Sequence, residues 1–128
     1  FMETAKKEGY LNEYAQTLYR RRRKLPELKS GNANQRNFGE RVAMNMPIQG
    51  TAADIIKAAM VRVHRRLSEE GLKARLILTV HDELLIETPE EEAVQVVGLL
   101  RESMEGVIKL KVPLQSDIKT GNSWYETK

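Results

Sequence analysis

The stretch "LILTVHDELLIETP", residues 76 to 89, constrains the fold more than any other part of the chain. Two apolar runs of strand length flank His81, Asp82 and Glu83, with Gly71 before the first run and Pro89 after the second. Leucine-rich and β-branched runs bounded in this way favour strands over helix, so two short strands are expected over residues 74 to 88. A folded core refuses an unpaired carboxylate. The hairpin must therefore present its acidic tip to solvent or to a ligand while the flanking strands anchor it.

Two readings of that tip stay open on spacing alone. Neighbouring residues on a regular strand point to opposite faces, so Asp82 and Glu83 cannot both aim at one point, and one carboxylate is the primary ligand if a cation binds. Mg²⁺ suits such a place, because it takes one or two protein carboxylates and fills its octahedron with water and phosphate oxygens. The plain alternative is a polar β-turn at His81-Asp82 with Glu83 at its edge.

The remaining elements follow from periodicity and punctuation. Residues 1 to 18 have a loose apolar helical face of Met2, Ala5, Tyr10, Tyr14 and Leu18. "YRRRRKLPELKSGNANQRN" reads as an irregular or hairpin-like connection. From Phe38 the helical signal returns, is interrupted at Pro47, and resumes with Ile55, Ala59, Val63 and Leu67 on one face and Gly71 as a stop. Thr88, Pro89 and Glu91 have capping-box spacing and open a helix to about Glu105, stopped at Gly106. A last strand is expected around Val112 to Ile118, before a tail at Gly121–Trp124. The fold class is α+β.

The 128 residues, 41% apolar and 30% charged, suit one globular domain with a modest core. No apolar run reaches membrane-spanning length, so the expectation is a soluble intracellular protein with no membrane partner. The absence of cysteine removes disulfides and thiolate zinc sites. Phe1 at the start leads to the expectation that the chain is a piece of a longer protein. Charge is uneven: residues 1 to 66 hold 14 Lys/Arg against 6 Asp/Glu, and residues 67 to 128 hold 7 against 12. That asymmetry points the N-terminal half towards a polyanion.

Two further stretches bear on that polyanion. "RRRRK", residues 20 to 24, sets five cations in a row beside Tyr19, either to neutralise phosphates or as a solvated loop. In "NFGERVAMNMPIQGTAADIIK", Arg41, Asn45 and Gln49 are spaced by four and share a helical face. Such donors and acceptors suit minor-groove edges, where sequence is poorly read; the alternative is an exposed polar helix face. His64 has no partner at metal spacing and reads as a surface residue. No nucleophile triad, Walker loop or dinucleotide fingerprint is present.

Taken jointly, "RRRRKLPEL", "ERVAMNMPIQGTAADIIKAAM", "VHDELLIETP" and "VPLQSDIKTGNSW", in this order, closely resemble the C-terminal end of the family A DNA polymerases, the bacterial DNA polymerase I family. The resemblance covers nearly the whole chain. It implies a single C-terminal palm fragment, residues 1 to 128, with its fingers-proximal connection, in which the antiparallel hairpin carrying His81-Asp82-Glu83 packs against helices. Asp82 matches the motif C aspartate that holds catalytic divalent ions with a motif A aspartate, and Glu83 matches its supporting glutamate. Both are thus implied as catalytic, with Asp82 the metal ligand. His81 matches a histidine near the primer terminus. Arg41, Asn45 and Gln49 match side chains that touch the minor groove, and Arg23 matches a basic position associated with the DNA backbone.

The same resemblance implies a parent that extends a DNA primer with deoxynucleoside triphosphates, uses two Mg²⁺ ions, and lies in the cytoplasm with the nucleoid. Motif A, the nucleotide-gripping fingers helix and the thumb have no counterpart in these residues, so the remainder of the polymerase chain is an expected partner and the isolated piece is expected to be inactive. The sequence also departs from the family pattern: where the family usually has a Gly before Tyr and a Gly before its three arginines, Glu13 and Arg20 stand here, although "EGY" at residues 8 to 10 is a competing match for the Gly-Tyr pair. A non-catalytic nucleic-acid-binding module of palm-like fold is the rival class. A metal-dependent nuclease is less well supported, because only Asp82 and Glu83 converge in sequence.

Overall fold

In a computed structural model that describes residues 1 to 128, helix α1, Met2–Asn12, opens the chain and buries Ala5 and Gly9. It stops six residues before the sequence expectation. Glu13 turns left-handed, φ 62°, while its N–H donates to the Gly9 carbonyl at 2.9 Å. Beyond that break the burial alternates over strand β1, Tyr14–Gln16, which pairs antiparallel with β2, Arg22–Lys24. Tyr14 and Leu18 thus belong to a hairpin and its loop, not to the apolar face of α1. A 3-10 turn, Pro26–Lys29, leads on to helix α2, Ala33–Glu69.

Helix α2 is a single run of 37 residues and begins before Phe38. The Asn32 side chain accepts the Asn34 N–H at 2.8 Å, a capping bond that starts the helix there. Pro47 does not interrupt it. A mid-helix proline forfeits one backbone bond, yet Ala43, Thr51 and Asp54 are buried on either side of it and the Thr51 hydroxyl donates back to the Pro47 carbonyl. Tertiary burial outweighs the local defect.

The chain divides into two compact units, residues 1 to 54 and 55 to 128. The first has a small core of Ala15, Leu25, Leu28 and Ala43, with Val42 and Met46 packed on it. Gly9 permits close approach there, since a Cβ would stand 3.0 Å from that of Ala43.

The second unit contains the rest of α2, strands β3, Arg75–Val80, and β4, Glu83–Glu87, and helix α3, Ala93–Glu105. Gly71, φ 65°, ends α2 as expected: its N–H donates to Ser68 and that of Leu72 to Leu67, the two bonds of a Schellman motif. The hairpin is antiparallel, from Arg75 opposite Glu87 to Val80 opposite Glu83, and the register shifts between Leu76 and Leu78 at a bulge. Leu84 and Ile86, two apart on β4, pack against the core formed by Val63, Leu67, Ala74, Val96, Leu99 and Leu100.

Two local expectations fail. The capping box does not form: the Thr88 hydroxyl donates to the Pro89 carbonyl, and a 3-10 turn, Glu90–Glu92, precedes α3. The nearby Glu92 carboxylate accepts the N–H groups of Lys73 and Ala74 instead. Residues 112 to 118 form no strand and pair with neither two-stranded sheet; Ser116 instead donates its N–H and hydroxyl to Glu105, each at 2.9 Å. α3 does end as expected, with Gly106 N–H on the Glu102 carbonyl and the Arg62 guanidinium donating to the Gly106 carbonyl. No helix is long and apolar enough to cross a membrane.

Candidate metal-binding tip and nucleic-acid interface

In the second unit, Val80 and Glu83 pair across the hairpin, which leaves His81 and Asp82 as a two-residue turn. His81 takes the left-handed conformation such turns demand, φ 52°, one that histidine tolerates better than most residues. The Thr79 hydroxyl donates to the Glu83 carbonyl at 3.0 Å and supports the turn from below. His81, Asp82 and Glu83 are all exposed, and none of their side chains has a hydrogen bond or ion pair within the chain. Both carboxylates thus keep their acceptor capacity, which is the state a cation ligand requires.

No three His, Cys, Asp or Glu side chains gather where they could hold a metal ion. The chain therefore offers a carboxylate or two and no closed cage. That donor set fits a hard divalent cation whose shell is completed by other oxygens, and it does not fit a structural zinc site.

In the first unit, Arg41, Asn45 and Gln49 are exposed on α2, and the continuity of the helix through Pro47 keeps them on one ridge. None of the three is bonded within the chain. The basic run is divided. Arg21 pairs with Asp54 at 2.6 Å, while Arg22 lies 4.5 Å from the centroid of the Tyr14 ring and donates to Gln16 at 3.0 Å. The side chains of Arg20, Arg23 and Lys24 are exposed with no partner in the chain, which leaves three of the five cations available to an anion.

Thr17, Thr51 and Asp54, which hold the loop between β1 and β2 onto α2, form no recognisable pattern in the sequence. The one signal was Asp54 itself, the only acidic residue between Glu40 and Glu69. Arg20 adopts φ 63° and Glu13 φ 62°, and with His81 they are the three non-glycine residues with positive φ.

Residues 1 to 126 match the family model described as DNA polymerase family A. The chain belongs to DNA polymerase family A. Among its relatives, DNA polymerase I of Bacillus caldotenax is 50% identical over 128 residues, all of this chain and 15% of that protein. DNA polymerase I of Bacillus subtilis is 51% identical over the same length, covering 14% of that protein. The family A chain therefore spans about one seventh of these relatives. A solved structure of the POL domain of Pol1 from M. smegmatis, in complex with DNA primer-template and dNTP, superposes with a TM-score of 0.96 at 42% identity, over 98% of this chain and 22% of that one. The mixed fold of helices and small antiparallel sheets is thus that of part of a family A polymerase domain.

Proposed function

We propose that these residues are the closing palm section of a template-directed DNA polymerase that adds deoxynucleotides to a DNA primer. The observation that carries this reading is an unpaired Asp82 at the hairpin turn of a family A chain. Asp82 is the metal ligand and Glu83 its supporting carboxylate, and Mg²⁺ is the ion their hard, sparse donor set suits best. Two such ions, once bound, supply charge stabilisation to the attacking and leaving oxygens of phosphoryl transfer.

The chain's own residues do the positioning on which that chemistry depends. His81 stands beside Asp82 in the turn, where it can contact the primer end. Arg41, Asn45 and Gln49 form a ridge of donors and acceptors that tests the shape of the terminal base pair from the minor groove without reading its identity. Arg23 neutralises a backbone phosphate. The partners are primer-template DNA, deoxynucleoside triphosphates and the rest of the polymerase chain, in the cytoplasm with the nucleoid.

The test is primer extension in Mg²⁺. The full-length protein should extend a primer as the template dictates, and residues 1 to 128 alone should not, since one or two carboxylates make only part of a metal site. Extension by the isolated piece would show that the site is complete within it. A full-length protein that binds DNA but never extends it would favour a binding module.

A further inference from the structure

Asp54 is 6% exposed, in a helix segment that is otherwise neutral or basic. Its carboxylate accepts the Thr17 hydroxyl at 2.7 Å and pairs with the half-exposed Arg21 guanidinium at 2.6 Å. The Thr17 oxygen also accepts the Arg21 N–H at 3.2 Å. On the same helix, the Thr51 oxygen accepts the Leu18 N–H at 3.0 Å. Gly50 makes the room, because a Cβ there would come within 2.7 Å of the Thr17 methyl carbon. Gly50, Thr51 and Asp54 together form a polar seat on α2 that receives residues 17 to 21.

An ion pair with one partner buried is a poor device for stability, since desolvating its carboxylate costs much of what the pairing returns. What it adds is orientation: an apolar contact lets the loop slide, whereas two hydrogen bonds and an ion pair fix its angle. The loop held this way starts the basic run. It brings Arg20 round in a left-handed turn and feeds directly into Arg22, Arg23 and Lys24 of β2.

We propose that Asp54 is a positioning residue for nucleic-acid binding: by gripping Thr17 and Arg21 it fixes the loop on α2 so that Arg20, Arg23 and Lys24 are presented to the phosphates of DNA. This rests on the DNA-binding reading above. Arg21 is then the internal counter-ion of the device and not one of the phosphate contacts.

The test compares Asp54→Asn, Arg23→Ala and the double variant of the full-length polymerase by primer-template affinity across a salt series and by KM for the nucleotide. Asp54→Asn should weaken DNA binding about tenfold at 0.1 M salt and flatten its salt dependence, with the nucleotide KM within about twofold. A general loss of structure would move both constants together. In the double variant the two losses should be less than multiplicative, because Arg23 already sits badly once the seat is lost. Unchanged or tighter DNA binding by Asp54→Asn, with Arg23→Ala weakened, overturns the positioning role and leaves the DNA reading standing. Arg23→Ala at wild-type affinity in every salt overturns the DNA reading itself. If Asp54→Asn fails to fold, the Thr17 pair decides: Thr17→Val should weaken DNA binding and Thr17→Ser restore it, and equal affinities overturn the proposal.

Discussion

Arg20→Gly should tighten the β1–β2 hairpin. Arg20 holds φ 63°, where Cβ crowds the following carbonyl at a cost of about 1–2 kcal/mol for an ordinary residue. Glycine removes that strain but gains freedom in the unfolded chain, which returns about 0.4–1 kcal/mol. The net gain is about 0.5–1 kcal/mol, and no bond is lost, because the Arg20 side chain has no partner in the chain and its N–H bond to Thr17 is kept. Glu13→Gly should follow the same arithmetic, less the exposed pair that Glu13 makes with Lys29, which contributes little. Amide hydrogen exchange reads the effect locally. The N–H groups of Thr17, Arg20 and Leu25, bonded to Arg21, Thr17 and Glu13, should exchange about 2–5-fold more slowly per substitution. Lys7→Gly, an exposed position inside right-handed α1, should speed exchange in that helix. If Arg20→Gly leaves the hairpin amides unchanged or faster, the left-handed strain on which the argument depends is absent.

Three other outcomes are expected. Leu25, 1% exposed at the centre of the first unit's core, should cost about 2–5 kcal/mol when cut to alanine, measured by urea unfolding. The Ser116 N–H and hydroxyl hold the Glu105 carboxyl below the usual carboxylate range, so this contact stabilises fully above that range and is lost as pH falls through the lowered value. Ser116 amide protection should accordingly collapse in acid, and Glu105→Gln should abolish that pH dependence. In the DNA salt series, Arg23→Ala should reduce the slope of log K against log salt by about 1, while Arg22→Ala, whose guanidinium is occupied by Tyr14 and Gln16, should change it less.

What the sequence made legible was whatever local pattern decides. The β3–β4 hairpin, the Gly71 and Gly106 stops and the ridge of Arg41, Asn45 and Gln49 all follow from spacing within a few residues. The misreadings share a non-local cause. Glutamate carries no signal for left-handed backbone, so periodicity alone runs α1 past Glu13. Pro47 is a breaker in isolation and is overruled by burial on both sides. Residues 112 to 118 are held by the Ser116–Glu105 contact and not by a strand partner, and the hydroxyl and carboxylates around Thr88 chose other partners. The seat at Asp54 closes a separation of 37 residues, which no window along the chain spans.

The most direct test of the account is Asp82→Ala in the full-length polymerase, assayed for primer extension in Mg²⁺ and for primer-template affinity on the same preparation. Loss of extension with DNA affinity retained is the expected result, because Asp82 is exposed and its side chain has no hydrogen bond or ion pair within the chain. Extension at a near wild-type rate would remove Asp82 from the metal site and with it the proposed function of the hairpin.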